Sequence, residues 1–338
     1  MKALMIGGTG VISTSVSQLA LAQGWDVTLL NRGSRSSEVP GARQLIADMN
    51  DEAAVRVALA GETYDVVADF IAFRPEQVER DIRLFSGKTH QYIFISSASA
   101  YHKPLPSPII NEGTSLSNPF WQYSRDKAAC ERVLMQAHQD SGFPVTIVRP
   151  SHTFANRSIT VPVHGKNGAW QVLKRMKEGK KVLVPGDGTS LWAAMASEDF
   201  ARAFLGLMGN VHAIGEAVQI TSEELLTWNQ ILSVIASALG VPYRPCYVPA
   251  TMLARCRRYD FEGALLGDKA NTVIFDNAKL HRLVPGFTAK KRFDQAAAES
   301  VRFFLSHPEL QKDDPEFDAF CDQVVVVMEN AEAQIAKL

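Results

Sequence analysis

Only four cysteines occur in the 338 residues. Cys130, Cys246, Cys256 and Cys321 show neither a disulfide framework nor a metal-ligand spacing, and they read as ordinary thiols of a reducing compartment. No metal is expected. The chain also lacks an excess of charge of one sign, with 35 Lys and Arg against 36 Asp and Glu, a net charge of -1. That balance removes the usual electrostatic footprint of a nucleic-acid binder, although a local basic patch stays open. No stretch approaches the ~20 apolar residues needed to cross a bilayer. The apolar run Ala3-Leu4-Met5-Ile6 is too short for a signal peptide and passes into glycines. The expectation is a cytoplasmic protein with no membrane partner. No internal repeat, low-complexity tract or linker between independent domains is visible.

What is present is an alternation. Strands are expected at 3–6, 26–30, 44–47, 65–71, 91–96 and 145–148, and helices at 11–23, 75–85 and 124–141. Each strand is nearly continuous in apolar residues, which implies a parallel sheet covered on both faces. The fold class is therefore α/β, a doubly wound parallel sheet, over residues 1–150. The pattern breaks after Pro150. Residues 151–168 are rich in Ser, Asn, Pro and Gly and read as loop. Helices follow at 168–178, 198–208, 223–239, 293–305 and 317–337, with fewer strands among them. Residues 151–338 are expected to form a smaller, mostly helical substrate-binding lobe that partly returns to the sheet.

A glycine turn joins the first strand to the first helix as Gly7-Gly8-Thr9-Gly10-Val11-Ile12-Ser13. A tight turn needs a residue free to take positive φ, which glycine supplies. Gly10 carries no side chain, so a pyrophosphate can approach the backbone, and the helix start offers N–H groups and a favourable dipole. Gly7, Thr9, Gly10, Val11 and Ile12 are the candidate phosphate-binding positions of a Rossmann-like dinucleotide site. The third glycine of the usual pattern is replaced by Ser13, which predicts slightly looser helix packing. The second strand ends in Asn31-Arg32, with Arg35 close behind and no acid to bind ribose hydroxyls. Arg32 and Arg35 either pair with a 2′-phosphate or form a solvated basic loop. The cofactor expectation is NAD(P), leaning to NADP.

Tyr123 and Lys127 lie four apart at a helix start, so their side chains share one face. An ammonium beside a phenol favours the phenolate and makes tyrosine a usable general acid/base. The strand ending in Ser96-Ser97-Ala98-Ser99 brings hydroxyls to the rim where ligands bind in such sheets. One of these can hydrogen-bond a substrate oxygen as charge develops.

Together these residues resemble the extended short-chain dehydrogenase/reductase superfamily, and within it the NAD(P)-dependent sugar epimerase/dehydratase family, over most of the chain. The resemblance implies Ser97, Tyr123 and Lys127 as the catalytic set. It places Asp48 and Met49 at the adenine, and Phe70, Ile71 and Ala72 at the strand end that lines the cofactor. Arg149-Pro150 then lies near the nicotinamide, with Pro150 touching it. It also implies a homodimer through the helices at 75–85 and 124–141, with Ala128, Ala129, Leu134 and Met135 as contact surface. Beyond Pro150 the pattern departs. Ser151-His152-Thr153 replaces the usual continuation, and Leu191-Trp192 stands where nucleotide-sugar enzymes often carry a basic residue. Ser99, His152 and Trp192 are candidate substrate contacts. For His152 a packed or solvated position, and for Trp192 a place in a lobe interface, stay open.

The function expected is hydride transfer at a hydroxyl or keto carbon of a sugar or sugar-nucleotide-like substrate. Epimerisation, dehydration and net redox chemistry share that first step. A carbonyl reductase acting on a non-sugar molecule is one alternative. A cofactor-sensing or RNA-binding protein that keeps the fold is the other, favoured by a broken Tyr-x-x-x-Lys or a basic groove; here the motif is intact and the net charge is not basic.

Overall fold

Leu4, Met5 and Ile6 are wholly buried, as are Val66, Val67 and Ala68, so short apolar runs carry the central strands. The computed structural model describes residues 1–33 and 39–338. Arg35 lies outside the described residues. The first half runs β1 (Lys2–Ile6), α1 (Val11–Ala22), β2 (Asp26–Asn31), β3 (Arg43–Ile46), α2 (Glu52–Ala58), β4 (Tyr64–Asp69), α3 (Pro75–Phe85), β5 (Thr89–Ile95), β6 (Ile109–Ile110), α4 (Gln122–Ser141) and β7 (Val145–Pro150). The second half runs β8 (His152–Phe154), α5 (Trp170–Lys177), β9 (Val182–Pro185), β10 (Leu191–Ala196), α6 (Ser197–Leu207), β11 (Ala217–Ile220), β12 (Leu225–Thr227), α7 (Trp228–Leu239), β13 (Pro245–Val248), α8 (Ala250–Leu253), α9 (Glu262–Ala264), β14 (Ile274–Phe275), α10 (Ala278–Leu283), α11 (Phe293–Ser306) and α12 (Pro315–Ile335).

Seven parallel strands form the main sheet in the order β11-β7-β5-β4-β1-β2-β3. The chain leaves β1 toward β3 on one side and resumes at β4 on the other. This reversal puts a crevice at the carboxyl end of β1, where the glycine turn sits. One apolar cluster covers each face of the sheet, and another, around Trp192, Trp228 and Phe293, fills the second half. Local sequence sets the helix limits. Gln77 Oε1 accepts from the Phe73 and Arg74 amides at the start of α3, and Gly142 ends α4 at φ 70°.

Several expectations need correction. The second half has as many strands as the first among the described residues, seven in each, but most are short. The loop expected at 151–168 begins with β8, and the helix expected from 223 begins as β12, with the helix proper starting at Trp228. The strand expected to reach residue 71 stops at Asp69, because its Oδ1 accepts from the Ile71 and Ala72 amides and turns the chain. Ala128 and Leu134 are 3% and 0% exposed against the body of the subunit, so they offer no surface to a second copy. Among the described residues, no helix is long and apolar enough to cross a membrane.

Candidate functional site

The glycine turn is tightly fitted. Gly7 adopts φ +77°, and a Cβ there would lie 2.2 Å from Ile71 Cγ2, so glycine is required by conformation and by space. Ser13 does not loosen the turn. Its Oγ donates to the Gly7 carbonyl at 2.8 Å and accepts from the Gly10 amide at 2.8 Å, and the residue is 1% exposed. A hydroxyl thus closes the turn where a third glycine would allow close packing.

Beside this turn lies a cleft of about 550 Å³. Gly7, Thr9, Gly10, Asn31, Arg32, Asp48, Met49 and Ile71 line it, joined by Phe73, Gln77 and Arg80. Asn31 Oδ1 accepts from the Gly33 amide at 2.8 Å and shapes the turn after β2, while Arg32 is exposed. Asp48 Oδ1 accepts from the Asn50 amide at 2.9 Å. Arg80 donates to the Met49 carbonyl at 2.7 Å and to Asp81, which ties the rim of the cleft to α3. Burial, together with neighbouring Asp69, pushes the Asp81 carboxyl well above its ordinary value. The cleft suits a dinucleotide. It has a glycine cradle open to the backbone, a helix start, and no acid at the end of β2.

Other expected cofactor residues sit elsewhere. Val11 and Ile12 open α1 but do not line the cleft. Phe70 turns to the opposite side, its ring 5.6 Å from that of Phe204 on α6. Ala72 is 1% exposed, and its carbonyl is taken by Lys127. Arg149 points into the core. It pairs with Glu131 at 2.6 Å, donates to the Tyr101 hydroxyl and the Glu112 carbonyl, and is 5% exposed. Pro150 lines a second cavity.

That second cavity measures about 230 Å³ and is lined by Ser97, Ala98, Ser99, Trp121, Tyr123, Pro150, Ser151, His152, Trp192 and Asp268. It gathers the carboxyl ends of β5 and β7, the start of α4, and β8 and β10. Ser97 and Ser99 share a hydroxyl contact at 2.9 Å, and Ser124 donates to Ser99 Oγ at 2.8 Å. Burial pushes the Tyr123 phenol above its ordinary value, while the neighbouring Ser97 hydroxyl pulls it down.

Lys127 departs from expectation. Its ammonium donates to the carbonyls of Ala72 at 2.7 Å and Ile95 at 2.6 Å, and lies 5.9 Å from the Tyr123 ring centroid. Shared helix face therefore does not produce a direct Lys–phenol contact. Burial lowers the Lys127 pKa to about 8. Its ammonium also sits 4.5 Å from the Phe73 ring centroid. Phe73 lines the cleft and Tyr123 the cavity, so this lysine stands beneath the seam between the two.

His152 and Trp192 both reach the cavity wall. Burial, with Lys269 and His164 adding to it, drops the His152 imidazole to about 3, so the ring is neutral. Trp192 stacks on Trp228 at 5.6 Å and is 4% exposed, so it serves lobe packing and cavity lining together. Trp121, Asn118 and Asp268 were not legible as site residues. Trp121 stands only two residues before Tyr123 but outside the Tyr-x-x-x-Lys pattern, no motif surrounds Asn118 or Asp268, and Asp268 joins the cavity from a turn 145 residues after Tyr123.

A family model described as the NAD dependent epimerase/dehydratase family matches residues 3–221. The chain belongs to that family. Its relatives include 2′-dehydrokanamycin reductase of Streptomyces kanamyceticus, 24% identical over 85% of this chain and 80% of the relative. The chloroplast stem-loop binding protein of 41 kDa b from Arabidopsis thaliana is 29% identical over 71% of this chain and 64% of its own length. Among solved structures, an epimerase of Methanothermobacter thermautotrophicus matches with TM-score 0.74 and 17% identity, over 92% of this chain and 94% of that one. UDP-glucose 4-epimerase from Bifidobacterium longum, in complex with NAD+ and UDP, matches with TM-score 0.71 and 19% identity, over 91% and 99%. These structures share the Rossmann-like fold. As a member of this epimerase/dehydratase family, the protein is a nicotinamide-dinucleotide-dependent enzyme.

Proposed function

We propose that the enzyme moves hydride between NADP(H) and a hydroxyl or keto carbon of a carbohydrate-like substrate, with Tyr123 as general acid/base. The observation that carries this reading is the position of Tyr123. Its ring meets Phe73 where the cleft beside the glycine turn adjoins the cavity ringed by Ser97, Ser99 and His152. A bound nicotinamide dinucleotide supplies or accepts the hydride. Gly7, Thr9 and Gly10 would hold its phosphates, Asp48 and Met49 its adenine, and Arg32 a 2′-phosphate.

The chain's own groups handle the proton and the oxygen. The raised phenol of Tyr123 is protonated at neutral pH and donates to a carbonyl oxygen as hydride reaches the carbon. Ser97 donates a hydrogen bond to the same oxygen as charge develops there. Ser99 and Ser124 fix the Ser97 hydroxyl by a short chain of hydrogen bonds. Lys127, held by two carbonyls, places positive charge below the reacting groups.

A reductase among the relatives accords with hydride transfer to a carbonyl. The stem-loop binding relative suggests RNA as the other ligand class. The presence of Tyr123 with Lys127 and the net charge of -1 weigh against it. Native mass spectrometry and absorbance of the purified protein test the proposal. Retained or titratable NADP(H) is expected, and a protein that binds neither NAD(H) nor NADP(H) would sink it.

A further inference from the structure

The cavity beyond Tyr123 holds polar groups that neither the fold nor the proton transfer uses. Trp192 is 4% exposed, yet its Nε1–H has no hydrogen-bond partner. His152 Nε2 is likewise buried without one. The Asp268 carboxylate lines the cavity, half-buried, and accepts no hydrogen bond from any described residue. Buried polar atoms left without partners, as Trp192 Nε1 and His152 Nε2 are, are costly unless a ligand supplies those partners.

Asp268 is also firmly held. It belongs to a wide turn, Leu265–Lys269, closed by the Ala270 amide on the Leu265 carbonyl at 2.9 Å. Such π-type turns are rare and recur at functional sites. Asn118 Nδ2 donates to the Gly267 carbonyl and to the Ser99 carbonyl, each at 2.7 Å, which fastens this turn to the end of β5. Trp228 Nε1 donates to the Lys269 carbonyl at 2.8 Å from the other side, and Trp228 is the ring on which Trp192 stacks. Gly263 and Gly267 let the segment close on Trp121, since a Cβ at Gly263 would meet its ring at 2.4 Å. Two separate straps therefore set Asp268 opposite the Ser97–Tyr123 wall.

The chemistry of the lining selects a ligand. Among the described residues no lysine or arginine lines the cavity to neutralise a phosphate, and Asp268 repels one. Lys103 and Lys269 already bring positive charge close to Asp268 without pairing with it, so a ligand cation meets repulsion from them as well as attraction to the carboxylate. What remains is an acceptor-rich carboxylate, an indole donor, a neutral imidazole and serine hydroxyls beside the faces of Trp121 and Trp192. At ~30 Å³ per water the volume equals roughly eight waters, the size of one ring with its hydroxyls.

We propose that this cavity binds an uncharged, polyhydroxylated ring bearing no phosphate or nucleotide, with Asp268 accepting from its hydroxyls and Trp192 Nε1 donating to one of its oxygens. Which carbon of that ring reacts rests on the function proposed above; the binding assignment does not need turnover.

Saturation-transfer NMR on the full chain with saturating NADP+ tests this. The probes are the methyl glycosides of the common hexoses, the matching 6-phosphates, UDP-linked sugars and 2-amino sugars. At least one neutral glycoside is expected to bind. Asp268→Asn should weaken it about tenfold or more, the scale of losing a hydrogen bond to a charged group. Trp192→Phe keeps the stack on Trp228 and should weaken it by a smaller factor, with NADP+ affinity unchanged in both variants. Failure of every neutral glycoside, tighter binding of a phosphorylated, UDP-linked or aminated probe, or undiminished binding by folded Asp268→Asn would overturn the proposal. Tyr123→Phe should still bind the neutral ring. Full activity in that variant would sink the proton-transfer reading and leave the binding assignment standing.

Discussion

The ring of Phe73 lies 6.2 Å from that of Tyr123, inclined at 46°. The contact lies where the cleft beside the glycine turn adjoins the cavity around Ser97 and Asp268.

Tyr123→Phe keeps this ring contact and removes only the hydroxyl. General acid–base catalysis is typically worth ~100- to 10,000-fold, and kcat should fall within about that range. Cofactor affinity should change little. Steady-state rates beside a cofactor titration check both, and near-normal turnover would show that the phenol carries no proton.

The charge of Lys127 should be visible in the pH profile. Burial holds its pKa at about 8, below the ordinary lysine value, so the ammonium is lost as pH rises through about 8. kcat/KM should therefore decline above about pH 8, since it reports groups of the free enzyme. The effect on stability has the opposite sense. Between about pH 8 and the ordinary lysine value the unfolded chain binds more protons, so stability rises with pH through that window. A flat kcat/KM profile from pH 7 to 10 would contradict the assignment.

Cofactor choice is read at Arg32. With Asn31 ending β2 and no acid beside it, NADP(H) should bind more tightly than NAD(H). Arg32→Ala should erase the difference. A fluorescence titration in which the wild type prefers NAD(H) would refute this.

Gly7→Ala should damage fold and cleft together. The residue is at φ +77° and the added Cβ collides with Ile71. A loss of more than about 1 kcal/mol is expected from backbone incompatibility, with weaker cofactor binding. Urea denaturation and the same titration measure the two effects, and an unchanged midpoint would show that the turn relaxes.

Glu131→Ala should be the most destabilising of these changes. It strands the buried Arg149 guanidinium and removes an acceptor from Ser96. Breaking such a buried pair costs about 3–5 kcal/mol, which a urea midpoint will report.

The sheet was readable because its central strands are apolar runs separated by helical periods and bury both faces, whereas the edge strand β3 is largely exposed. The Gly7–Ser13 turn and the Tyr123–Lys127 pair were readable because their chemistry is local in the chain. Direction was harder to read. Nothing in the residue types announces that Lys127 bonds two carbonyls, that Phe70 faces Phe204, or that Arg149 serves the core. β8 escaped because three residues are too few to show an alternation, and β10 because its alanines carry little strand preference. Asp268 escaped because only tertiary packing brings its turn to Tyr123.

The pairing of β11 with β7 has a consequence for dissection of the chain. Ala217–Ile220 runs alongside Ile147–Pro150, so the amide edge of β7 is satisfied only after residue 220 has been placed. A fragment ending at residue 150 would leave that edge bare, with four apolar or β-branched residues of β7 ready to recruit another chain. Expressed alone, such a fragment should aggregate, whereas one extended through residue 220 regains its edge guard.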